Sequence, residues 1–106
     1  MLKFELSQIP GYSVIFANFP DEPEPRRLLL GRLLLDIFDQ EDFCLSEIAR
    51  AEAGATVLNL YNNLVDMELY PDGRVLLYDL NDNSDDPVHT ELTLAEAKQL
   101  ILDWLD

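Results

Sequence analysis

Leu2, Phe4 and Leu6 alternate with Lys3 and Glu5, a period of two that predicts a β-strand with one apolar face. Pro10 and Gly11 mark a turn. Residues 12–19 predict a second strand, rich in aromatic and β-branched side chains. Its apolar residues fall on both faces, which places it in the interior of a sheet. Pro20, Pro23 and Pro25 make the next segment a stiff loop, because proline fixes φ and disfavours helix in the residue before it. Residues 27–39 are leucine-rich and of helical length, and they predict a helix. Gly31 weakens it by about 1 kcal/mol relative to Ala. Leu30, Leu33, Leu34 and Ile37 share one helical face, and Leu28, Leu29, Leu35 and Phe38 widen that face far beyond one stripe. A helix apolar nearly all round is either central to a core or part of an interface.

Further along, Ser46 is expected to cap a short helix through Ala53, with Gly54 as its stop. Residues 56–63 are ambiguous between helix and strand; Val57, Leu58, Leu60, Tyr61 and Leu64 fit a helix that could lead into the next strand. The clearest local signal is a hairpin. Residues 64–70 and 74–80 flank Pro71-Asp72-Gly73, where proline presets the first turn position and glycine takes the left-handed one. That register puts Val65, Met67, Leu69, Val75 and Leu77 on a core-facing side, with Asp66, Glu68, Leu76 and Tyr78 on the other. Residues 88–92 add a short strand. Thr93 and Glu96 match a capping box. Ala97, Leu100, Ile101, Trp104 and Leu105 then recur at the spacing of a core-facing helical stripe.

These elements predict an α+β fold: an antiparallel sheet of about three to five strands covered on one face by two or three helices. The lack of regular strand–helix–strand alternation disfavours a parallel sheet. A chain of 106 residues, 48% hydrophobic, suits a single domain over residues 1–106. Its one cysteine, Cys44, has no internal disulfide partner, which argues for a reducing compartment. The first residues lack a basic-then-apolar leader pattern. The longest apolar run, residues 28–38, is broken by Gly31, Arg32 and Asp36 and is too short to span a bilayer. The expectation is a cytoplasmic protein that does not enter membranes.

Charge narrows the function classes. Twenty-one acids against seven bases give a net charge of −14. That field repels nucleic-acid phosphates and anionic membranes, and it favours basic partners. Residues 57–106 hold eleven of the acids and only Arg74 and Lys98 among the bases, so the acidic half is where a partner surface is sought. The candidate surface is Asp66, Glu68, Asp79, Asp82, Asp85, Asp86 and Glu91.

No catalytic motif stands out. Asp79, Asn81, Asn83 and Asp85 alternate like the early ligands of a calcium loop, but the sixth and twelfth positions hold Ser84 and Thr90, where such a loop needs Gly and Glu. A solvated Asx-rich turn is the commoner reading. Cys44 and His89, the sole residues of their kinds, are weak grounds for a nucleophile pair. Glu41–Asp42 and Asp85–Asp86 are adjacent carboxylates and read as solvated charges. No cofactor is called for. The sequence reading is therefore a non-catalytic protein-binding module, of inhibitor or immunity type, whose acidic surface masks a basic partner. The alternatives are an assembly protein that self-associates through residues 28–38 and a small carboxylate enzyme or calcium-binding domain.

Overall fold

A computed structural model describes residues 2–8, 11, 15–61 and 64–105. The elements run β1 (Glu5–Gln8), β2 (Ile15–Asn18), α1 (Arg26–Asp36), α2 (Glu41–Glu52), β3 (Val57–Tyr61), β4 (Val65–Leu69), β5 (Arg74–Asp79), β6 (His89–Thr93) and α3 (Leu94–Leu105). Strands β1 and β2 form an antiparallel ribbon, and β3-β4-β5-β6 form a four-stranded antiparallel sheet in chain order. The α+β class read from the sequence holds.

α1 organises the rest. Leu29, Leu30, Leu33, Leu34 and Ile37 are buried. One side of the helix meets β4, β5 and β6, and another meets β2. The approach to β2 is close: a Cβ built on Gly31 would lie 3.1 Å from the Ala17 carbonyl oxygen, so glycine lets the helix and the ribbon touch. The breadth of the apolar surface on residues 28–38 is thereby explained by a helix held between two sheets. Leu28 and Phe38 alone of its large side chains stay exposed. The C-terminal end of α1 is tied to the sheet through Asp36, whose Oδ2 accepts from the Leu64 and Val65 amides, each at 2.8 Å. The helix stops at Asp36, earlier than its leucine run implies, and Asp39 takes a left-handed conformation (φ 65°) that Asp tolerates better than most residues.

The hairpin forms as its turn residues dictate. Tyr70 N–H donates to the Arg74 carbonyl, and Gly73 sits at φ 101°. Val65, Met67, Leu69, Val75 and Leu77 face the core at 0–1% exposure. β6 adds to β5 with Leu92 buried. The capping box of α3 is complete: Thr93 Oγ1 accepts from the Glu96 amide at 3.0 Å, and Glu96 Oε1 accepts from the Thr93 amide at 2.9 Å. Ala97, Leu100 and Ile101 are buried beneath it, and Trp104 packs against Phe4 (6.1 Å between centroids), while Leu105 is exposed.

Three expectations need correction, and one ambiguous segment is resolved. Residues 12–19 were expected inside a sheet, yet β2 pairs with β1 alone among the described residues. Its apolar neighbours Ala17 and Phe19 are buried against the helical layer rather than between strands; Tyr12, Ser13 and Val14 lie outside the described residues. The strand expected over residues 2–6 starts later, at Glu5, and Leu6 is exposed while Leu2 is buried. Ser46 is no cap: α2 begins at Glu41, with Glu41 and Asp42 favourably placed against its N-terminal dipole, and Ser46 Oγ donates back to the Phe43 carbonyl. Residues 56–63, an ambiguous segment whose apolar spacing fits a helix, contain β3. Its pairing with β4 shifts register between Val57 and Leu60, and this irregularity breaks the alternation by which a strand is recognised. Asn62 and Asn63 lie outside the described residues.

The contrast along α1 is testable. Leu34→Ala should cost about 2–5 kcal/mol in a denaturant titration. Leu28→Ala, at a position 45% exposed, should cost less than about 1 kcal/mol in the same titration.

Candidate functional site

All three helices lie on the core side of the four-stranded sheet. The opposite face has no helix or strand packed on it among the described residues. Strand register arranges that face in rows. Asp66 sits opposite Tyr78, which sits opposite His89; Glu68 sits opposite Leu76, which sits opposite Glu91. A third row, at the turn end, holds Tyr70 and Arg74. Carboxylates thus flank a central line of Leu76 and Tyr78, with a second tyrosine at one end.

The side chains on this face hold one another. Tyr70 Oη donates to Glu68 Oε1 at 2.9 Å, and this bond is the main reason its phenol is harder to ionise than usual. The Arg74 guanidinium lies 4.8 Å from the Tyr70 ring centroid and pairs with Asp72 at 2.8 Å. Tyr78 stacks obliquely on His89 at 5.5 Å, as expected for a strand pair without backbone hydrogen bonds. Asp66 is the uneasy member. Burial, then the neighbouring Glu68 charge, push its carboxyl above the ordinary range. Its Oδ1 is shut away from water with no hydrogen-bond partner. No ion pair engages Asp66, Glu68 or Glu91 among the described residues.

The remaining sequence candidates serve other purposes. Asp79 opposes Val65 in register and turns to the helical side, where its Oδ2 meets Arg32 of α1 at 3.2 Å; its Oδ1 accepts from the Asn81 amide. Asp82 braces the loop by accepting from the Ser84 and Val88 amides, and hydrogen bonds led by the one from the Ser84 side chain hold its carboxyl below the usual range. Asp85 and Asp86 stand exposed in that loop. The structure therefore gathers Asp66, Glu68 and Glu91 on one face and separates the other four from it.

Cys44 and His89 lie on opposite sides of the sheet. Cys44 is buried in the core, where burial and the nearby Glu47 and Glu41 push its thiol up to about 12. His89 is exposed, with Nδ1 3.0 Å from the Pro87 carbonyl oxygen. A cleft of about 410 Å³ opens between α1 and the loop after β5, walled by Leu28, Leu29 and Val88. Of its charged groups, Arg32 and Asp79 neutralise one another, and Glu24 pairs with Arg27. Two residues with structural consequence escaped the sequence reading, Asp36 and Arg26; each acts across a long stretch of chain, so no local pattern marks it. Comparison with known protein families, curated proteins and solved structures found no match.

Asp66 sets a pH dependence whose sign follows from its raised pKa. The folded chain binds that proton more tightly than the unfolded chain, so the ionised form is the destabilising one. Asp66→Asn should be more stable than wild type at neutral pH by up to about 1 kcal/mol, the partial exposure of the group keeping the gain small. The gap should close as pH falls through the carboxylate range, as followed by thermal melts of both proteins. Separately, Cys44 should resist alkylation at pH 8 in the folded chain and react once denaturant unfolds it, as read by mass spectrometry.

Proposed function

We propose that this chain is a non-catalytic protein-binding module that docks a basic partner on the open face of its four-stranded sheet. The observation that carries the reading is the composition of that face. Asp66, Glu68 and Glu91, without ion-pair partners among the described residues, border Leu76, Tyr70 and Tyr78. Tyrosines give a binding surface large rigid area with a polar tip, and the carboxylates select the sign of the partner. The net charge of −14 steers a basic protein toward the chain from a distance and works against nucleic acid. An inhibitor or immunity role fits this physics, since covering a basic active surface needs area and charge rather than catalytic groups.

The test compares two forms of the protein as bait in cell lysate. Wild type should retain basic proteins at low salt and release them near 1 M salt, where screening shortens to about 3 Å. The triple variant Asp66→Asn, Glu68→Gln, Glu91→Gln should lose the same set at low salt. Equal retention by both baits would sink the assignment of this face, and no retention by wild type at low salt would sink the whole reading.

A further inference from the structure

Among the described residues the four-stranded sheet ends at β6, and an edge strand presents unpaired backbone groups to any strand that comes beside it. The ladder with β5 shows which groups these are. Asp79 N–H donates to the Val88 carbonyl, and Leu94 N–H donates to the Gly73 carbonyl. Backbone groups alternate along a strand, so Thr90 and Leu92 also address β5, while His89, Glu91 and Thr93 point outward. Two of these outward positions are already occupied by side chains. The Glu91 carbonyl accepts from Arg26 Nη1, and the Thr93 amide donates to Glu96 Oε1. Arg26 is itself fixed from several directions: Nε meets Glu22 Oε2 at 3.0 Å, Nη2 lies 3.8 Å from Glu96 Oε2, and Nη1 also reaches Thr90 Oγ1 at 3.3 Å. The arginine and the glutamate that cover the edge are thus paired with each other.

We infer that Arg26 is a strand-edge block that keeps β6 from pairing with the β6 of a second copy of this chain. Two copies offer each other the same edge, and an antiparallel pair of β6 strands about a two-fold axis would join the two sheets into one. The groups needed for that pairing are the ones that Arg26 and Glu96 hold. On the two-fold, Glu91 would face Glu91 of the other copy, so the pairing opposes like charges and strengthens when salt screens them. This salt dependence is opposite in sign to that of the docking surface proposed above, and the two claims stand or fall separately.

The test uses Arg26→Met, which keeps an apolar stem and removes the donors, measured by sedimentation at low and high salt. Wild type should remain at 12.1 kDa throughout, and the variant should shift toward twice that mass as salt and concentration rise. In the dimer, exchange of the Glu91 amide should slow on the order of tenfold or more, because a new acceptor covers it. Adding Glu91→Pro, which removes an outward-pointing donor that an edge strand does not use in its own sheet, should return the variant to monomer. If Arg26→Met fails to fold, as judged by loss of protection at Leu69 and Leu77, Arg26→Ala decides. It removes the donors and keeps a strong helix former at the start of α1. A folded variant that stays monomeric at both salt concentrations overturns the inference, and so does a wild type that already dimerises through β6.

Discussion

A helix with leucines on almost every side cannot rest on the surface of a sheet, because one packed face leaves the other in water. α1 is such a helix, and the architecture follows from covering it twice. The four-stranded sheet takes one side, and the β1–β2 ribbon takes another. Gly31 permits the second contact by leaving room for the Ala17 carbonyl, and a side chain there would hold the ribbon away. Asp36 then supplies what burial alone does not, a direction and a register. By accepting two adjacent amides at the start of β4, it fixes where the sheet begins relative to the end of the helix. Hydrophobic contact is indifferent to small slides along the helix axis; two convergent hydrogen bonds are not.

Charge is distributed around this frame with a consistent division. Every arginine of the chain is engaged by a nearby carboxylate: Arg26 by Glu22 and Glu96, Arg27 by Glu24, Arg32 by Asp79, Arg50 by Glu47 and Arg74 by Asp72. Most of these pairs are partly exposed and add little stability individually. Their collective effect is to neutralise acids on and around the helices, and one acid at the turn between β4 and β5. Among the described residues, the three carboxylates on the far side of the sheet receive no such compensation. What distinguishes that face is therefore less the number of its acids than the absence of bases assigned to them.

Much of the fold was legible in the sequence because it was encoded locally. The Pro71-Asp72-Gly73 turn, the alternation in β4 and β5, and the Thr93–Glu96 box each lie within a few residues, and each appeared where its chemistry placed it. Errors arose where the deciding partner or irregularity lay outside the local pattern. A register shift hid β3, whose identity depends on pairing with β4. The two apolar faces of residues 12–19 suggested sheet neighbours, whereas the neighbour was a helix. The candidate surface was half legible for the same reason. Alternation assigned Asp66 and Glu68 to the outward face, but nothing near Asp79 announced that Arg32, far back in the chain, would claim it. Arg26 carried no signal, since its importance lies in touching β6 and α3 together.

Cys44 carries a last consequence. A lone thiol at the surface would expose the chain to mixed disulfides, to dimers linked through sulfur and to stepwise oxidation, and it would tie the protein to surroundings that keep thiols reduced. Here the sulfur is enclosed in the core and held in its protonated, unreactive form by burial and by Glu47 and Glu41. The fold needs no cross-link and offers no handle for an unwanted one. Burial of this thiol therefore protects it in the folded chain whatever the redox state of the fluid around it.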